Sequence, residues 1–232
     1  HGAVRFKDTV IGSETCEELW TPKSPYVEQA LSGVEITGNG SASHHQLRKL
    51  DLRVNYILSV TRKCGGLYMY ANQQGCDGGR LYYDGSALIV CNGEILAQAS
   101  QFSIEDVEVI HAVVDLESIR SYRASQSSIM YQSSLLKKSI PFIHAQQFSL
   151  GSEKNTNCLK LSKHKRLLLH KPEEECALGP ACWLWDYLKR SGASGYLLPL
   201  SGGADSSSTA AIVGVMCNLV ANSIKNGNRD VE

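Results

Sequence analysis

The chain has 232 residues, 43% of them hydrophobic, and its 23 Lys and Arg balance 23 Asp and Glu for a formal net charge of +0. That composition excludes a disordered or collagen-like chain, and the lack of a dense Lys/Arg block excludes the basic footprint of a dedicated nucleic-acid or anionic-membrane binder. No run approaches the roughly 18 consecutive apolar residues that span a bilayer, so no membrane segment is predicted and small molecules are the expected partners. The eight cysteines, Cys16, Cys64, Cys76, Cys91, Cys158, Cys176, Cys182 and Cys217, include no C-x-x-C pair. No structural zinc and no metal site is expected, and reduced thiols in a cytoplasmic protein are. The chain opens at His1, not Met, and an N-terminal portion is expected to precede it.

Residues 1–124 alternate short apolar runs with Gly, Asn and Asp, the pattern of a mixed α/β layer structure. Thr9 to Trp20 reads as a strand entering a turn with Cys16 at the bend, where a nucleophile could be displayed. Glu14, Glu17 and Glu18 crowd that thiol and would disfavour its thiolate, so a working Cys16 needs a base and a cation from elsewhere. Leu47, Leu50, Val54, Ile57 and Leu58 recur at spacings of three and four and predict a helix over residues 44–61, closed by Arg62, Lys63 and Gly65-Gly66. His44 and His45 at its start read as surface or capping residues. Leu67 to Ala71 predicts a strand, and Ala87 to Cys91 and Glu94 to Gln98 predict a hairpin about Asn92-Gly93. Asp77 and Asp84 lie in Gly-flanked turns, whose chemistry accounts for both.

Residues 125–171 lose this periodicity and read as a connector. Pro172 and three glutamates start a helix that Lys189, Arg190 and Gly192 end, and Gly179-Pro180 inside it is expected to kink or split it. Trp183 and Trp185 read as core or interface residues. Gly195 to Leu200 predicts a short buried strand, then a small-residue loop, Ser201 to Ser206, opens a helix through Ile212, Val215, Met216, Leu219 and Val220, capped by Asp205 or Ser206. A glycine loop at a helix N-terminus binds phosphate, and the missing Lys argues against a Walker A loop.

The run Gly12-Ser13-Glu14-Thr15-Cys16-Glu17-Glu18-Leu19-Trp20-Thr21-Pro22 resembles the nucleophile segment of the nitrilase-type glutaminase domain in eukaryotic, plant-like, glutamine-dependent NAD synthetases. Ser43 to Lys49, Ala71 to Asp77, Arg80 to Gly85, Ser100 to Ser103 and Arg120 to Arg123 resemble that family in the same order. Ser201-Gly202-Gly203-Ala204-Asp205-Ser206 resembles the pyrophosphate loop of ATP-pyrophosphatases.

The resemblance implies a partial nitrilase-like α-β-β-α sandwich over 1–124, a connector over 125–171, and the first strand, loop and helix of a Rossmann-like synthetase domain over 172–232. It implies that Cys16 attacks the glutamine amide while the Glu17 amide helps hold the oxyanion. Ser43 and Arg48 are the implied holders of the glutamine α-amino and α-carboxylate groups. Pro199, Leu200, Ser201, Gly202, Gly203, Ala204, Asp205 and Ser206 form the implied ATP loop, with Ser201 counted among the catalytic residues. Glutamine, deamido-NAD, ATP and Mg²⁺ are the implied small molecules, and a homo-oligomer the implied state. The family's base Glu and its Lys lie further upstream than the fifteen residues before Cys16, so this polypeptide alone is not expected to hydrolyse glutamine. Thr37 to Ala42 departs from the family in carrying more glycine. The alternatives are a plain nitrilase-type amidase and a non-catalytic truncated subunit.

Overall fold

A computed structural model describes residues 1–137, 139–151 and 159–228. Strand β1 (Ala3–Phe6) pairs antiparallel with β2 (Val10–Thr15), which pairs parallel with β3 (Ile36–Ser41), and β3 pairs parallel with β4 (Leu67–Asn72). Between them lie a 3-10 turn (Cys16–Trp20), helix α1 (Pro25–Leu31) and helix α2 (Lys49–Cys64). β5 (Gln74–Cys76) and β6 (Tyr82–Asp84) form a separate two-stranded sheet. β7 (Leu88–Cys91) and β8 (Glu94–Gln98) then extend the main sheet antiparallel from β4, turning at Asn92 (φ 50°) and Gly93 (φ 84°) as their sequence predicts.

The period-2 pattern of these strands sends Tyr68, Tyr70, Leu88 and Val90 to one face, where α1 and α2 cover them with Tyr26, Leu50, Val54 and Ile57. Val54 and Ile57 are 0% exposed, and burying each contributes about 1.5–3 kcal/mol. Ser13, Thr15, Gly40, Met69 and Ala71 lie exposed. The additional glycines, Gly38 and Gly40, meet nothing within 4 Å of an added Cβ, so packing does not demand them. The family's second sheet is not formed by the described residues, and one mixed seven-stranded sheet is what the α/β reading yields.

Several expectations are corrected. The helix expected from residue 44 begins at Lys49, because 43–48 are already bonded elsewhere: the Ser43 amide donates to Asn72 Oδ1 (2.8 Å) and the His45 amide to the Tyr82 carbonyl (2.6 Å). The span read as a connector, 125–171, carries a helix and a strand of its own. After α3 (Leu116–Ala124), whose Asp115 side chain caps it, come α4 (Ser127–Ser134) and β9 (Phe142–Ala145), and β9 closes the sheet in parallel beside β1. Each is too short for its period to stand out in the sequence. Residues 162–168 run along β8, where Lys165 donates to the Ile95 carbonyl (2.7 Å) and Gln98 exchanges two bonds with Leu168.

Helix α5 (Pro172–Ser191) passes through Pro180 without splitting. Pro180 removes one backbone donor, and burial of the turn at Gly179 and Ala181 holds the helix together. Residues 195–200 are not a buried strand: no described strand pairs with them and Leu197 is 96% exposed, so the strand expected to open a Rossmann-like domain is not formed there. The helix that follows, α6 (Ala204–Lys225), is capped by the Gly203 backbone instead of the Asp205 or Ser206 side chain. By length and composition alone this helix is long and apolar enough to cross a membrane. Ser, Thr, Gly and Asn interrupt the apolar run, yet Asp205 and Lys225 are its sole charged residues. Its Leu219 and Val220 pack with Trp183 and Trp185 of α5 against Tyr82, Phe102, Ile104 and Cys182, so both tryptophans are interface residues as expected.

Candidate active site at Cys16

β2 delivers Cys16 to the first position of the 3-10 turn with φ 39°, a left-handed conformation that residues other than glycine rarely adopt. Two contacts hold it there. The Cys16 amide donates to Asn39 Oδ1 (3.1 Å), and Cys16 Sγ accepts the Ala42 amide (3.4 Å). Both partners come from β3 and the loop after it, the strand parallel to β2, so sheet register places them beside the thiol. The Glu17 amide lies in the first turn, where helical bonding leaves N–H groups without intrahelical partners.

The three carboxylates do not converge on the thiol. Glu14 is buried, and its carboxylate accepts from Asn39 Nδ2 (3.2 Å), Ser24 Oγ (3.1 Å) and the Tyr68 hydroxyl. Burial, reinforced by the Glu14 charge, raises the Tyr68 pKa and keeps the phenol a donor. Glu18 accepts the Thr15 amide (2.6 Å) and lies 3.1 Å from His1 Nε2, while Glu17 is exposed.

A cation that the sequence reading missed does lie near. Lys49, the first residue of α2, donates to the His44 carbonyl (3.1 Å) and sits 5.6 Å above the Trp20 ring. Its pKa is lowered mainly by burial and then by Arg53, whereas Asp84 and Cys16 raise it. The signal available in the sequence was its place beside Arg48 at a helix start.

Ser43 and Arg48 have different surroundings. Ser43 is buried, its backbone is bonded on both sides to Asn72 (2.8 and 3.0 Å), and Arg53 Nη2 lies 3.3 Å from its hydroxyl. Arg53 and Asp84 are both 0% exposed and pair at 2.9 Å, with Asn72 and Gln101 also donating to Asp84. Turn chemistry therefore does not account for Asp84, though it does for Asp77, which accepts the Gly79 and Leu81 amides. Arg48 turns its guanidinium to Glu175 Oε1 (2.9 Å) and the His170 carbonyl (2.7 Å). His45 is no surface residue either: it meets Glu175 at 3.3 Å and Phe102 edge-on at 5.0 Å between ring centres.

In the second candidate site, Pro199 to Asp205 are all exposed and Ser206 is half-buried. Gly202 has φ 86°, Ser201 Oγ and Ser206 Oγ lie 3.1 Å apart, and Ser206 Oγ donates to the Gly203 carbonyl (3.1 Å). The loop thus reaches the N-terminus of a 22-residue helix with its hydroxyls folded inward. Among the described residues no group of three His, Cys, Asp or Glu side chains could hold a metal, and seven cysteines are free; Cys158 lies outside them.

Residues 2–124 match the carbon-nitrogen hydrolase family. The whole chain is 54% identical to a glutamine-dependent NAD(+) synthetase of Oryza sativa subsp. indica, covering 31% of that protein. A similar match to the enzyme of that name from Arabidopsis thaliana is 54% identical over 100% of the chain and 32% of the relative. The chain therefore spans about a third of the length of these relatives. Among solved structures, a glutamine-dependent NAD(+) synthetase from Cytophaga hutchinsonii superimposes over 96% of the chain and 27% of its own length (TM-score 0.62, 23% identity). One from Acinetobacter baumannii, in complex with ADP, covers 92% of the chain and 32% of its own (TM-score 0.65, 21% identity). At these identities the two structures bear on the fold.

Proposed function

Because the chain belongs to the carbon-nitrogen hydrolase family, we propose that it is part of a glutamine-dependent NAD synthetase and carries the cysteine that releases ammonia from glutamine. The observation that carries this reading is Cys16 itself, held in a left-handed bend by Asn39 and the Ala42 amide at the end of β2. The similarity over the whole chain to synthetases from rice and Arabidopsis supports it.

In the proposed reaction the Cys16 thiolate attacks the side-chain carbonyl carbon of glutamine. The C–N bond breaks as the nitrogen takes up a proton and leaves as ammonia, and water then hydrolyses the thioester to glutamate and regenerates the thiol. The developing oxyanion lies within the reach of the Glu17 amide, a donor already oriented by the turn. Glu14 and Glu18 are already bonded, so neither is offered as the base, and the base and second cation are those the resemblance places upstream of Cys16. Lys49, which sits over Trp20 of the Cys16 turn, is the better candidate for the glutamine carboxylate, since the Arg48 guanidinium is engaged by Glu175. Ser43 and its Asn72 brace form the neighbouring wall for the α-amino group.

The ammonia would amidate deamido-NAD at the expense of ATP, releasing AMP and pyrophosphate. The loop from Pro199 to Ser206 is the proposed phosphate contact: its Ser and Gly residues bring no side-chain charge except Asp205, and the α6 dipole favours an anion there. Mg²⁺ would arrive with the ATP phosphates, Asp205 being the carboxylate at hand. The complete protein is proposed to work in the cytoplasm as a homo-oligomer.

The test is C16A in the full-length protein that contains this chain. It should abolish glutamine-dependent synthesis and spare ammonia-dependent synthesis. Loss of both, or of neither, would refute the assignment.

A further inference from the structure

Glu175 lies in the first turn of α5, outside the segment that matches the family, and is 1% exposed. A buried carboxylate is costly unless its oxygens are occupied, and these are. Oε2 accepts the Arg48 amide at 3.0 Å and lies 3.3 Å from His45 Nε2, while Oε1 accepts Arg48 Nη1 at 2.9 Å. Arg48 is held at both ends, by its backbone and by its side chain.

Arg48 has φ 65° and ψ 6°, and the next residue, Lys49, begins α2. A left-handed residue other than glycine persists only where its surroundings enforce it, and here another segment holds it, the Glu175 carboxylate through backbone and side chain and the His170 carbonyl through the side chain alone. The conformation of Arg48 sets the direction in which α2 starts, and with it the place of Lys49 over Trp20, the last residue of the turn that Cys16 begins. The same short loop begins at Ala42, whose amide reaches Cys16 Sγ.

We infer that Glu175 is a positioning residue for the Cys16 site, fixing left-handed Arg48 and thereby the approach of Lys49 to the glutamine pocket. The inference rests on the proposed glutamine chemistry for its substrate, though not for its geometry. It makes the first 124 residues an incomplete site: the segment that begins the ATP-using part supplies the brace of the ammonia-releasing part. Disturbing α5 would then be felt at glutamine binding before it is felt at the thiol.

The experiment compares E175A and E175Q with wild type in the full-length protein containing this chain. Cys16 is labelled with a diazo-ketone glutamine analogue, which requires glutamine recognition, and with iodoacetamide, which does not. E175A should slow the analogue by about tenfold or more and iodoacetamide by less than about twofold, because misplacement by an ångström is enough to cost such factors. The glutamine KM should rise more than kcat falls, ammonia-dependent turnover should hold, and E175Q, which retains one acceptor for the Arg48 amide, should lie between. Unchanged analogue labelling in both variants would overturn the inference. So would a parallel loss of both labels and of ammonia-dependent turnover in both, since Glu175 would then merely hold the fold. If wild type itself is not labelled by the analogue, the glutamine reading fails. Hydrogen exchange at residues 48–50 then decides the positioning claim alone, faster exchange in E175Q upholding it and unchanged exchange overturning it.

Discussion

Asn39 accepts the amide of Cys16 through Oδ1 at 3.1 Å and donates through Nδ2 to Glu14 at 3.2 Å and Tyr68 at 2.9 Å, so one buried amide joins the nucleophile to the core of the sheet. N39A should cost about 1–3 kcal/mol, because it leaves the Cys16 amide and one lone pair of Glu14 unpartnered in the interior. It should also slow labelling of Cys16 by a glutamine-shaped electrophile. Urea unfolding and the labelling rate measure the two effects; wild-type values for both would show that Asn39 does not order the bend.

The Arg53–Asp84 pair is fully buried at 2.9 Å and touches the Ser43 hydroxyl. R53M should destabilise by about 3–5 kcal/mol, as removal of one partner strands the other charge. R53M/D84N should regain part of that loss, a comparison that denaturant midpoints decide.

How far the site could be read from the sequence differs from residue to residue. Cys16 at its bend, the Asn92-Gly93 hairpin and the start of α5 at Pro172 were legible because each is a local signal of turn or cap chemistry. Asn39, Lys49, Asp84 and Glu175 were not. Their roles depend on partners distant in the chain, 23 positions away for Asn39 with Cys16 and 127 for Glu175 with Arg48. β9 escaped notice because four residues show no clear alternation, and residues 195–200 were read as buried because an apolar run carries no record of whether a neighbouring strand covers it.

Asp186 of α5 accepts the Cys76 amide at 3.0 Å, and burial raises its pKa above the ordinary 3.8 despite the lowering effect of Lys189. A raised carboxyl favours folding below its unfolded value, and that contribution is lost as pH rises through the folded value. D186N, neutral throughout and still able to accept from Cys76, should therefore gain stability relative to wild type as pH rises from 3.8. Unfolding midpoints at a series of pH values test this, and a gain that shrinks with rising pH would contradict it.

Gly202 holds φ 86° with open space around it. G202A is thus not a packing change but a strain of about 1–3 kcal/mol on the loop conformation. In the full-length protein it should weaken ATP-dependent synthesis by about tenfold or more, given what misplaced phosphate or oxyanion donors cost elsewhere, and leave glutamine hydrolysis intact. Equal loss of both activities would break the assignment of two separate sites to 1–124 and 199–206.

The central claim, that Cys16 is the glutamine nucleophile, is tested most directly by mapping where a diazo-ketone glutamine analogue attaches in the full-length protein, by peptide mass spectrometry with and without excess glutamine. Burial pushes the thiol pKa of Cys91 up to about 11 and of Cys182 up to about 12, so both should stay unmodified near neutral pH. Cys176 and Cys217 are exposed and serve as internal controls for unassisted reactivity. The expected result is a single adduct at Cys16 that glutamine prevents. Adducts spread over Cys176 and Cys217, with Cys16 unlabelled or unprotected by glutamine, would contradict the claim.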